Sequence, residues 1–497
     1  MEIALKQRLV IAGALVAALA AGWQIANGSM MFAAVLAGLL ALWTAGRVSG
    51  VPGDALVGGM VLTGYLVGNR GFAQLHPPNL PLLPGELALG LGLVVAVWRA
   101  ARTKSLPVKR DALNFVLLGW VAVGAARLRF DFPMFGFMSL RDFAMVYYAG
   151  FFFLALGWAV EPAARRWIER CLTAGFALVA PVASAFELWP DFFVAHTTVF
   201  DVPLIFVKSD AAGGFMVAGA AWFLIRYQRS ARWWWLTLAA VNFAGVILGN
   251  SRGALAALAV VIGWIAICRV WRLLRPVAVM LAVSAVVLMV AAVISRRPWP
   301  QTTAYRLYES VASMTDLQGA KHYESPELGD KSDNNQFRLI WWRAVFAETL
   351  TKSPWLGLGF GYDLADQFMR VYYAEGSEEF AARSPHNFVL TVFARMGAVG
   401  LAPLLLMLGL MARQTWTVGR CAASGGENGG RFASWLAVWG IFTSACFGVV
   451  LEGPMGAVVF WTLLGVAAAS STDQEAEKPT IAEKAAGPAL PSEVASV

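Results

Sequence analysis

The chain has 497 residues, 58% of them hydrophobic and only 14% charged, with a mean hydropathy of +0.61. A water-soluble protein of this length needs far more charged surface, so composition excludes that class and makes the bilayer the main solvent. The net charge of +8 does not indicate nucleic acid, because the cations are spread between apolar runs rather than gathered in a patch.

The first stretch, MEIALKQRLVIAGALVAALAAGWQIA, has features of a signal peptide, but the many apolar runs after it favour a first transmembrane helix. Crossing a bilayer takes about 20 apolar residues in a helix. Spans are predicted near 9–27, 30–46, 54–69, 81–98, 112–126, 143–160, 171–189, 210–225, 233–250, 254–268, 276–295, 387–411, 432–450 and 456–470. The fold class is therefore an all-α polytopic membrane protein with about 12–14 transmembrane helices and one long outside loop containing short helices. Residues 1–295 form an N-terminal transmembrane bundle, 296–385 the loop, 386–470 the C-terminal transmembrane helices, and 471–497 a polar tail expected to be disordered. Cys171, Cys268, Cys421 and Cys446 are scattered, with neither a disulfide framework nor metal-type spacing.

Orientation follows from the cations. With a cytoplasmic N-terminus, the inside segments carry twenty Lys and Arg, from Lys6 and Arg8 to Arg420 and Arg431. The short outside loops hold six: Arg70, Arg127, Arg129, Arg141, Lys208 and Arg252. That bias puts both termini in the cytoplasm. In the long loop, NQFRLIWWRAVFAETL places Phe337, Ile340, Trp341, Ala344 and Val345 on one helical stripe. It is predicted to be an amphipathic helix lying at the membrane surface. SPWLGLGFGYD then ends that helix as a turn, and its glycines do not open a helix after a strand, which excludes nucleotide binding.

The outside cations are few, so each needs a reason. Arg252 occupies a hairpin tip with almost no loop, Arg338 lies on the amphipathic helix, and His386 tops the next span. Paired hydrogen bonds from arginine suit phosphate oxygens, and fixed cations in a poorly hydrated site favour developing negative charge. A histidine of ordinary pKa about 6.5 can take a proton from an attacking hydroxyl. Such a set fits a lipid-linked diphosphate sugar without a metal. Each residue also has a plainer reading: His386 as a helix-start residue in SPHN, Arg252 as a snorkelling flank, Arg338 as a cation–π or headgroup contact. Arg141 and Lys208 are secondary candidates for headgroup or acceptor contacts.

NSRGALAAL, RLIWWRA with SPWLGLGFGYD, and PHNFVLTVFARMGAVGL together resemble, in order and spacing, the bacterial O-antigen ligase and O-antigen polymerase superfamily over roughly residues 240–410. The resemblance implies a glycosyltransferase of the bacterial inner membrane, acting at the periplasmic face without a cofactor. Its implied partners are an undecaprenyl-diphosphate-linked glycan donor and a lipid-anchored or glycan acceptor in the bilayer. It gives Arg252 and Arg338 the diphosphate, and His386 the role of general base. The family often has an acidic residue where this chain has Arg395, nine residues after His386. Arg395 is then a third phosphate ligand or a buried partner for Glu452. A ligase and a polymerase share the donor chemistry, so the motifs do not separate them. A transporter is the rival from another class; its polar groups belong near the midplane, whereas Arg141, Asp142, Lys208, Asp210, Arg252 and Glu452 sit at one end of their spans.

Overall fold

The computed structural model describes residues 48–76, 82–104, 110–249, 251–316, 326–366, 383–423 and 429–469, with Thr44, Gly46 and Phe368 besides. The first two predicted spans, apart from those two residues, and the tail lie outside the described residues. Each of the other twelve coincides with a helix. They are α1 (Gly53–Gln74), α2 (Pro84–Thr103), α3 (Ala112–Phe135), α4 (Phe137–Val160, in three segments), α5 (Pro162–Leu188), α6 (Ser209–Ser230), α7 (Trp233–Leu248), α8 (Arg252–Ile267) and α9 (Trp271–Ile294). After α10 (Thr303–Thr315) and α11 (Pro326–Lys352) come α12 (Phe388–Ala423), α13 (Gly429–Ala445) and α14 (Pro454–Ala469). The only described strands are a two-residue hairpin pairing Thr198–Val199 with Val202–Pro203.

Six of these helices, α2, α3, α4, α5, α9 and α12, are long and apolar enough to cross a membrane, and α7, α8 and α14 are shorter apolar helices. The chain is an all-helical, multi-pass membrane protein. Helix α9 is the most apolar, yet only 17% of its most apolar stretch is buried, so its side chains are left for lipid. By contrast, α6 is buried continuously from Ala211 to Ile225, and α13 and α14 are buried along nearly their whole lengths. These three make the centre. Close approach there depends on small side chains: a Cβ on Gly213 of α6 would lie 2.6 Å from the Ala254 Cβ of α8. That contact fixes the start of α8, and hence Arg252, against the centre.

Two sequence expectations need correction. The span predicted to reach residue 450 ends at Ala445, because Gly448 and the Gly453–Pro454 pair follow; residues 446–453 form an irregular turn. Helix α11 was expected to rest its apolar stripe on the membrane, but the stripe packs inward. Trp341 and Val345 are each 1% exposed and meet Leu358, Leu364 and Phe368, with Phe337, Ile340 and Ala344 against the same cluster. The glycine-rich turn folds back and supplies a protein surface for the stripe, leaving Phe346, Leu350, Trp355 and Leu356 exposed instead. Helix α12 bends at Gly397 (φ +62°), where the backbone of Trp355 and Gly357 lies against it.

Candidate functional site

The glycine-rich turn is built first, because it seats α11 on α12. Gly357, Gly359 and Gly361 all have positive φ (+73°, +101° and +90°), so alternate residues adopt a conformation that favours glycine. The resulting backbone groups are taken up by charged side chains from three helices. Asp131 of α3 accepts from the Phe360 N–H at 2.7 Å, and Asp142 of α4 accepts from the Gly361 N–H at 2.8 Å. Arg395 of α12 donates to the Gly359 carbonyl at 3.1 Å and to that of Tyr362, and pairs with Asp142 at 2.8 Å. Arg127 completes the set with two contacts of 3.0 Å to Asp131. A Cβ at Gly359 would come within 2.6 Å of both Arg127 and Asp131.

Arg395 is therefore buried (2% exposed) and engaged by the turn and Asp142. Breaking a buried ion pair by removing one partner costs about 3–5 kcal/mol. Arg395→Met is accordingly expected to lower the thermal unfolding midpoint of the detergent-solubilised protein markedly. An unchanged midpoint would show that the turn does not depend on this pair. Arg141, immediately before Asp142, is exposed at the same end of the bundle.

The second cluster surrounds His386, which has a backbone φ of +57° just before α12. Ser384 Oγ accepts the His386 N–H at 3.3 Å, and the ring centroid lies 6.1 Å from that of Trp341. Burial, then Arg338, then Lys208 push the imidazole pKa down to about 4, so it is neutral at neutral pH. Arg338 Nη1 donates to the Phe447 carbonyl at 2.9 Å in the turn after α13. Burial lowers its pKa from the usual guanidinium range, opposed by Asp210. Lys208 Nζ is 4.0 Å from Asp210 Oδ2, and its N–H donates to Asn69 Oδ1 at 2.9 Å.

Arg252 begins α8, and its neighbour Gly253 faces Phe447: a Cβ on Gly253 would lie 3.3 Å from the Phe447 Cβ. The residue that receives Arg338 is thus approached from the Arg252 side as well. Ser444, one helical turn earlier, donates to the Asp210 carbonyl at 2.8 Å and ties α13 to the start of α6. Arg338, Lys208 and His386 share one electrostatic neighbourhood, and Arg252 starts its helix beside the same 444–447 segment. Arg395 and Arg141 belong to the glycine-turn side.

Glu452 has a larger place than the sequence indicated. It sits in the turn between α13 and α14, where its Oε1 accepts from Thr391 Oγ1 at 3.1 Å. Its carboxyl also accepts from Ser384, the residue that receives the His386 N–H; burial raises its pKa against these hydrogen bonds. The sequence offered it as a charge between two spans and as a buried partner for Arg395, whose ion pair is instead with Asp142 at 2.8 Å. Asp131 gave no signal, because it lies beyond the predicted end of its span at residue 126.

The helix bundle thus brings Arg338, Lys208 and His386 into one electrostatic neighbourhood. Residues 237–405, about a third of the chain, match the family model described as O-antigen ligase (Wzy_C), from α7 into α12. The matched segment contains Arg252, Arg338, His386 and Arg395, whereas Lys208, Asp131, Asp142 and Glu452 lie outside it. A domain of this kind points to a glycosyltransferase-type enzyme, the reading proposed below. No curated protein matches the chain.

Proposed function

We propose that the protein transfers glycan from an undecaprenyl-diphosphate-linked donor to an acceptor hydroxyl at the periplasmic face of the bacterial inner membrane, as an O-antigen ligase. In the reaction, the bond from the sugar anomeric carbon to the phosphate oxygen breaks and a bond to the acceptor oxygen forms. The electron pair leaves with undecaprenyl diphosphate, and His386 takes the hydroxyl proton. Arg252 and Arg338 bind the diphosphate and stabilise its growing charge, with Lys208 beside them. Arg395 positions the glycine-rich turn under α11, which carries Arg338.

What supports this reading is the setting of His386, buried and within the electrostatic reach of Arg338 and Lys208, with burial and both cations lowering its pKa. The two cations that depress the imidazole pKa are matched by a diphosphate's negative charge. Donor binding therefore raises the basicity of His386 when the base is needed. The one-sided placement of these groups favours chemistry at a membrane face over passage through it.

The test uses purified protein with an undecaprenyl-diphosphate-linked glycan, lipid A–core as acceptor, and a chelator throughout. The expected product is glycan on lipid A–core, formed without added metal. Extension of the donor glycan alone would replace the ligase reading with a polymerase. Activity lost in chelator and restored by magnesium or manganese would contradict the cation-based mechanism.

A further inference from the structure

The end of the bundle away from His386 holds a charged recess of about 510 Å³. Helix α6 starts beside Lys208 at the His386 end and runs away from it, while α13 runs toward that end, where Ser444 meets Asp210. The far ends of the same two helices also touch: a Cβ on Gly429 would lie 3.0 Å from Arg229 Cδ. Around this contact, Arg165 of α5, Arg226 and Arg229 of α6, and Arg431 of α13 line the recess. Glu169 is the one carboxylate among the described residues that line it.

Among the described lining residues, four guanidinium groups and one carboxylate make the recess predominantly basic in a confined, partly desolvated space. Like charges so placed repel one another, and a polyanion between them relieves that cost. The aromatic surroundings are also specific. The Arg226 guanidinium lies 5.0 Å from the Trp222 ring and 5.2 Å from the Trp235 ring. Trp233 and Trp234, exposed at the start of α7 next to Trp235, are of the residue type that collects at the membrane interface, which favours headgroup depth for the recess. An apolar groove of about 730 Å³ starts one residue from Trp235, at Leu236, and continues along α7 and α9 past Phe243, Met280 and Val283.

We infer that this recess binds the phosphate headgroup of an anionic phospholipid, with cardiolipin and its two phosphates the best fit, and that the neighbouring groove takes acyl chain. Basic pockets between transmembrane helices hold such headgroups by charge and by arginine–phosphate hydrogen bonds. The site lies at the opposite end of the bundle from His386 and does not depend on the proposed reaction.

The experiment reconstitutes the full chain in phosphatidylcholine nanodiscs containing a minor fraction of cardiolipin and counts retained lipid by native mass spectrometry. Wild type is expected to keep cardiolipin in preference to phosphatidylcholine. Arg226→Gln with Arg431→Gln should lower that retention about tenfold or more, since each basic residue contributes about 1 kcal/mol. Arg165→Gln, at an exposed position, should give a smaller loss without risk to folding. Arg102→Gln with Arg420→Gln removes the same charge outside the recess, where each guanidinium instead faces a tryptophan of its own helix, and should leave retention unchanged. Equal loss in this control would overturn the proposal, as would displacement of the lipid by soluble pyrophosphate. Retention that appears only after deletion of residues 471–497 would assign the recess to the acidic tail and also overturn it.

Discussion

His386→Ala is expected to lower glycan transfer by about 10²- to 10⁴-fold, the usual contribution of a general base, while the protein still inserts and binds donor. The pH profile carries a sharper signature. Only neutral imidazole accepts a proton, so the active fraction is full above its pKa and is lost as pH falls through it. With the free-enzyme pKa held at about 4, kcat/KM should stay level through pH 6 and fall only near pH 4. In the donor complex the diphosphate charge offsets Arg338 and Lys208, so the acidic limb of kcat should lie at higher pH than that of kcat/KM. Lys208→Gln removes one cation facing the ring and should raise the kcat/KM limb. A wild-type limb near pH 6.5 that Lys208→Gln does not move would remove His386 from its cationic setting, and wild-type rates from His386→Ala would remove it from the mechanism.

Arg338→Ala is expected to cost about 10²- to 10³-fold in transfer, the range for losing one preorganised donor to a developing anion. The side chain is half-buried, and Phe447 sets its direction through a single hydrogen bond of 2.9 Å from Nη1. In the proposed reaction the remaining guanidinium N–H groups meet the phosphate. Arg338→Lys keeps the charge but not the paired geometry, and should recover only part of the rate. It should also hold the His386 pKa low, whereas Arg338→Ala should raise it, because the repulsion between Arg338 and the ring is then gone. Full activity in Arg338→Ala would show that the diphosphate is held elsewhere.

Much of this arrangement was legible in the chain itself. Hydropathy located a helix at each of the twelve predicted spans that fall among the described residues, because a helix in lipid must satisfy its own backbone and leaves a long apolar run as its trace. Arg252, Arg338 and His386 stood out because charge is costly there and rare. What remained hidden depended on partners distant in sequence. Nothing in GLGFGYD announces that its N–H groups meet Asp131 and Asp142, more than two hundred residues earlier. The stripe on α11 had the right residues but the wrong neighbour, since periodicity identifies an apolar face and not what covers it. Arg395 stayed ambiguous for the same reason: read as a phosphate ligand or a partner for Glu452, it is instead taken up by Asp142 and the Gly359 carbonyl, neither of which its own neighbourhood in the chain announces. Glu452 became informative only once Thr391 and Ser384 were seen to face it.

The most direct measurement is the affinity of the purified protein for undecaprenyl diphosphate, compared among wild type, Arg252→Ala, Arg338→Ala and His386→Ala. A shared diphosphate site predicts that each arginine variant loses binding about tenfold or more, while His386→Ala binds as wild type yet fails to turn over. Wild-type affinity in either arginine variant, or loss of affinity confined to His386→Ala, would contradict a single site built from these three residues.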